Sequence, residues 1–131
     1  MNKLVVVVTR DADRVLKDVF IMTYRTFASS RRVLKKLIER YYVRPDSALT
    51  DAENDKRMKA TQLRVCNTIK SWMETFPNDF NEKLLSTLNN FVDSQVDITL
   101  SGTLRSAIAK VSSFTRVYSA ILTRLICSCI D

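Results

Sequence analysis

Glycine and proline are scarce in this sequence and histidine is missing. Its 131 residues include one glycine (Gly102), two prolines (Pro45 and Pro77) and no histidine. Without glycines the chain cannot form a P-loop or a dinucleotide fingerprint, because both need backbone that approaches a phosphate closely. Without histidine there is no Ser-His-Asp or Cys-His relay and no Cys/His zinc finger. A many-stranded sandwich or barrel, which separates its strands with Gly and Pro, is disfavoured for the same reason. Cysteine is sparse as well: Cys66 stands alone, and Cys127 and Cys129 form a Cys-x-Cys near the C-terminus. An odd count with no further ligand pair suits neither a disulfide framework nor zinc, and favours a cytoplasmic setting with buried or tail thiols. The apolar run Leu4–Val8 is far too short for a membrane span or for the core of a signal peptide.

What is present is a helical pattern over most of the length. At 46% apolar or aromatic residues, the chain can bury one core, and its length suits a single domain over 1–131. Apolar or small residues recur as Ala12, Leu16, Val19, Phe20, Thr23 and Phe27, one stripe of a helix with Asp11 as its expected N-cap. Ser29 or Ser30 is placed to cap a second helix with Val33, Leu34, Leu37, Ile38 and Tyr41 inward. After Pro45 and a polar loop over Asp46–Asp55, a third helix is expected from about Lys56 to Thr75. Its inward face is Met58, Val65, Ile69, Trp72 and Phe76, widened by Cys66 and Met73. Pro77 ends it, because a proline biases the residue before it away from helical dihedrals. Phe80, Leu84, Leu85, Leu88, Phe91 and Val92 form a fourth stripe, and Asp93–Ser101 reads as a spacer. The last helix carries Leu104, Ile108, Val111, Tyr118, Leu122 and Leu125, with Ala107, Phe114, Val117 and Ile121 broadening its apolar arc. A helix so apolar is either central in the fold or covered by something outside this chain. The opening valines favour strand by propensity, yet a lone strand has nothing to pair with here, so a short helix is expected. The fold class that follows is all-α, an orthogonal or irregular bundle of five to six helices.

The net charge of +7 is concentrated early. Residues 1–44 hold 11 Lys and Arg against 4 Asp and Glu. Arg31, Arg32, Lys35, Lys36 and Arg40 share one helix with a single acid, Glu39. Such a face is most often simply solvated; as a binding surface it suits an acidic protein or an anionic membrane ahead of DNA or RNA. Nucleic-acid readers interleave aromatics with their cations, whereas Tyr41 falls on the apolar stripe. No carboxylate pair sits at helical spacing within apolar surroundings. Asp51, Glu53 and Asp55 alternate like a calcium loop but lack its central Gly and closing Glu. No catalytic, metal or cofactor-binding residue is therefore expected.

One segment is more specific than periodicity. Phe20-Ile21-Met22-Thr23-Tyr24-Arg25-Thr26-Phe27 resembles the Phe-Leu-x-Thr-Tyr-Arg-x-Phe signature of the Ras exchanger motif, the N-terminal domain of Ras-family guanine nucleotide exchange factors. Two further matches follow in order. Leu37-Ile38-Glu39-Arg40-Tyr41 resembles the family's Leu-Ile-x-Arg-Tyr, and Arg64 to Trp72 resembles Arg-Val-x-Asn-x-Leu-x-x-Trp through Arg64, Val65, Asn67 and Trp72, with Asp79-Phe80 after it. The resemblance covers roughly residues 4 to 92. Phe20, Thr23 and Phe27 are expected on the buried stripe, with Tyr24 beside it and Arg25 either paired to a carboxylate or facing a partner. The sequence departs from the family in having Ala28-Ser29-Ser30-Arg31 where a Ser/Thr-Pro is common.

The resemblance implies a non-catalytic domain that packs against a separate catalytic exchange domain, in the same or another chain, and steadies the hairpin that opens a small GTPase. The GTPase is then an indirect partner, and the setting is cytoplasmic with recruitment to membrane. No segment here matches the catalytic domain. Leu122, Leu125 and Ile126 on the last helix are the expected docking residues. The alternative is a basic helical adaptor for nucleic acid or anionic membrane, acting through Arg31, Arg32, Lys35, Lys36 and Arg40.

Overall fold

Helix follows helix along the chain, as the periodicity requires, and no strand occurs among the described residues. The computed structural model describes residues 2–10 and 13–130. Its elements are α1 (Asn2–Arg10), α2 (Arg14–Thr23), α3 (Ser30–Tyr41), α4 (Asp51–Thr75), α5 (Glu82–Gln95) and α6 (Ile98–Ile130). Short 3-10 turns occupy Tyr24–Thr26 and Pro77–Asp79. The opening valines are helical, with Val5 and Val8 buried one turn apart. Thr9 is buried beside them, and its hydroxyl donates to the Val5 carbonyl at 2.7 Å.

The chain packs as two units, residues 1–72 and residues from 73 onward. In the first, α1 lies against α2 and α3. Its buried side chains include Phe20, Ile21, Tyr24, Val33, Leu34, Leu37, Tyr41, Val65, Ile69 and Trp72. In the second, α6 packs on α5 and on the Pro77–Asp79 turn. Its buried side chains include Phe80, Leu84, Leu85, Leu88, Phe91, Val92, Leu104, Ala107, Ile108 and Val111.

Several local expectations are corrected. Asp11 and Ala12 lie outside the described residues, and α2 is capped by Asp13, whose carboxylate accepts from the Val15 and Leu16 amides at 3.0 and 3.2 Å. The inward face of α2 is Phe20, Ile21 and then Tyr24, while Val19, Thr23 and Phe27 are exposed. The helix ends at Thr23 and tightens into a 3-10 turn, so the 3.6-residue phase that would carry Phe27 inward is lost. Further on, α4 starts at Asp51, inside the expected loop. A capping box begins it: Thr50 N–H donates to Glu53 Oε2 at 2.8 Å, and Glu53 N–H to Thr50 Oγ1 at 3.3 Å. Glu53 is thereby committed to a helix start, and the alternating acids are helical rather than a cation-binding loop. The spacer before α6 shrinks to Val96 and Asp97, whose carbonyl takes the amides of Leu100 and Ser101 at 3.0 and 2.8 Å.

Candidate functional site

Three groups of residues carry the sequence signals: the signature cluster, the basic face of α3, and the apolar stripe of α6. In the first, Tyr24 is fully buried and its ring meets Trp72 of α4 edge to face, with centroids 5.2 Å apart. Such a pair stabilises by about 1 kcal/mol beyond its area. The Tyr24 hydroxyl lies 3.1 Å from Ser30 Oγ at the first residue of α3. One tyrosine thus ties the turn after α2 to the start of α3 and the middle of the core. The two serines that stand where a Ser/Thr-Pro is expected to be common have work of their own: Ser30 serves Tyr24, and Ser29 caps α3 by accepting from Arg32 N–H at 3.3 Å.

The other signature residues are mostly architectural. Phe20 is buried, and Phe27, though exposed, tilts its ring toward it at 6.4 Å. Thr23 is exposed and donates back to the Val19 carbonyl at 2.7 Å, so its role is local to the helix end. Arg25 stands exposed on the 3-10 turn. Arg64 of α4 donates through Nη1 to the Arg10 carbonyl at the end of α1. Asn67 is exposed on α4, and Tyr41 and Phe80 are buried. Asp79 is half-buried at the end of the second 3-10 turn.

The basic face of α3 divides in two. Arg40 reaches inward, donating from Nε to Thr9 Oγ1 at 3.1 Å. Burial, and then the nearby Arg57 guanidinium, lower its pKa. Lys36 is held by Glu39 at 2.8 Å, and that hydrogen bond holds the Glu39 carboxyl below its ordinary value. Arg31, Arg32 and Lys35 remain exposed, so the candidate patch shrinks from five cations to three.

On α6 one face has two fates. Leu104, Ala107, Ile108 and Val111 are 0 to 5% exposed. The same face continues through Phe114, Val117, Tyr118, Ile121, Leu122, Leu125 and Ile126, which are 41 to 59% exposed. At the junction, Met73, Pro77, Val111 and Phe114 line a groove of about 260 Å³ with Lys110 and Glu74 at its edge. Leu122, Leu125 and Ile126, expected from the sequence to dock a partner, are therefore accessible, and four more apolar side chains join them. Over Ile98–Ile130 the sequence carries Arg105, Lys110, Arg116 and Arg124 and no Asp or Glu. No helix among the described residues is long and apolar enough to cross a membrane.

The signature cluster has counterparts elsewhere. Residues 1–91 match the RasGEF N-terminal motif. The chain belongs to the RasGEF N-terminal family. Among curated proteins of Dictyostelium discoideum, it is 34% identical over 98 residues to Ras guanine nucleotide exchange factor J, covering 72% of this chain and 12% of that one. With Ras guanine nucleotide exchange factor I the identity is 33% over 96 residues, again 72% of this chain and 12% of the relative. Ras guanine nucleotide exchange factor K is 34% identical over 115 residues, 84% of this chain and 7% of the relative. The chain thus spans about an eighth or less of the length of these exchange factors. The RasGEF N-terminal match ends at residue 91, so the uncovered part of α6 lies beyond it.

Proposed function

We propose that this RasGEF N-terminal domain is the non-catalytic support of a catalytic exchange domain, against which it packs through the exposed half of α6. In this reading it steadies the partner and so promotes GDP/GTP exchange on a Ras-family GTPase without contacting the nucleotide. The carrying observation is the stripe from Phe114 to Ile126, which prolongs a buried face by seven uncovered apolar side chains. A monomer seldom leaves so contiguous an apolar surface free, and such patches mark interaction sites. The four cations of α6, with no acid to oppose them, favour a partner surface that flanks its apolar centre with carboxylates.

Nucleotide release from a panel of Ras-family GTPases tests this, with the chain alone and with a catalytic exchange domain added. Stimulation in the second arm only is the expected result. Equal release with and without the chain would contradict it.

A second reading is a weak anionic surface contact, membrane or nucleic acid, through Arg31, Arg32 and Lys35, the three α3 cations that stay exposed. Retention on acidic vesicles or DNA at low salt, lost on reversing these three charges, would support it.

A further inference from the structure

We propose that the cleft between the start of α2 and the middle of α4 is a binding site for a phosphomonoester group. This inference is independent of docking through α6. The cleft has a volume of about 210 Å³ and lies within the first unit. Arg14 and Lys17 enter it from one side, one turn apart on α2, and Arg64 and Asn67 from the other, on α4. Val8 of α1, Asp13 and Thr68 complete the wall. Among the described residues, three cations from two helices thus converge on one concavity against one carboxylate. The cations of α3 differ, since Arg31, Arg32 and Lys35 stand exposed along a helix face and line none of the clefts described.

Each cation is free to serve a ligand. Arg14 and Lys17 form no ion pair with a carboxylate among the described residues. Arg64 spends one N–H on the Arg10 carbonyl, which orients its planar fork and leaves further donors for a second acceptor. A guanidinium fixed in this way loses little freedom on binding. Asp13 opposes the site least where it stands, because its Oδ1 is engaged by the Val15 and Leu16 amides and its charge rests on the positive end of α2.

The ligand class follows from the donors. An anchored guanidinium, a second arginine, an ammonium and the Asn67 amide present directional N–H groups to the cleft. A tetrahedral dianion accepts from all of them and matches the guanidinium fork in two contacts. A cleft of this size admits the phosphate and part of the polar group that carries it, whether a soluble sugar phosphate or a lipid headgroup.

The test uses the full chain titrated with inositol 1,4,5-trisphosphate by calorimetry, alongside an Arg14→Gln/Lys17→Gln variant and an Arg31→Gln/Arg32→Gln/Lys35→Gln control. The expected result is measurable binding that falls at least about tenfold in the first variant and less than about twofold in the control. Unchanged melting temperature in both variants keeps folding out of the comparison, since the substituted side chains are exposed or half-buried. No binding at low salt, or an equal loss in both variants, overturns the proposal. Vesicles separate the sources. Retention on phosphoinositide-containing vesicles above that on phosphatidylserine vesicles of equal charge assigns the site to a lipid headgroup. Binding of the soluble ester without that preference assigns it to a free phosphomonoester.

Discussion

The two halves of α6 have the same pattern and opposite surroundings. From Leu104 to Val111 the apolar face is closed off from solvent; from Phe114 to Ile126 the same face is open. Polar residues and cations fill the outer side of both halves, and neither half contains an acid. Periodicity therefore says which side of a helix is apolar, and a neighbour decides whether that side is core or interface. In this chain α5 and the Pro77–Asp79 turn pack on α6, and exposure rises abruptly after Val111.

Leucine deletion gives the strongest contrast between the halves. Leu104 is fully buried and Leu125 is 58% exposed. Leu104→Ala should destabilise by about 2–5 kcal/mol, through lost transfer energy and the cavity left behind. Leu125→Ala should stay within about 0.5 kcal/mol in the chain alone. Urea midpoints measure both; similar losses at the two sites would erase the distinction.

Thiol chemistry extends the contrast from α6 to the core of the first unit. Cys127 and Cys129 are exposed on the open half, while Cys66 is buried and its burial pushes the thiol up to about 11. The thiolate is the reactive form. A folded-state pKa raised in this way leaves Cys66 neutral at pH 7.5, with its thiolate fraction growing as pH rises toward about 11. Labelling by a maleimide at pH 7.5 should reach Cys127 and Cys129 on the order of 100-fold faster than Cys66. Mass spectrometry of the time course reads this directly, and comparable rates at all three would place Cys66 at the surface.

The smallest effect separates face from half. Gly102 lies in the covered half of α6 but faces outward, and a Cβ added there meets nothing within 4 Å. Gly102→Ala should stabilise by about 0.5–1 kcal/mol, since glycine loses more backbone freedom in a helix interior than alanine does. A loss of stability by thermal melting would mean that this side of α6 is also packed.

Much of the fold was legible before the structure, and what was missed has local causes. The Thr-Tyr-Arg-x-Phe and Arg-Val-x-Asn-x-x-x-x-Trp segments point to the family, and Tyr24 and Trp72 within them meet edge to face in the core of the first unit. Phe27 was misplaced because a 3-10 turn is not visible in apolar spacing. The start of α4 lies inside a polar stretch that reads as loop, although Thr50 followed three residues later by Glu53 is a readable capping signal. Arg40 and Arg64 were read as surface cations or motif letters. Their hydrogen bonds to Thr9 and the Arg10 carbonyl bridge 31 and 54 residues of sequence, and no local pattern encodes such partners. The cleft proposed for a phosphomonoester arises the same way, from α2 and α4 brought together by the fold.

Affinity between this chain and a catalytic exchange domain tests the central claim most directly, measured by calorimetry for the unmodified chain and for Leu122→Asp/Leu125→Asp. Both side chains are exposed, so the variant should keep its melting temperature. The account expects binding by the unmodified chain and a loss of at least about tenfold in the variant, as for a charge placed at the centre of an apolar interface. Equal affinity for both chains would show that the open half of α6 is not the docking surface.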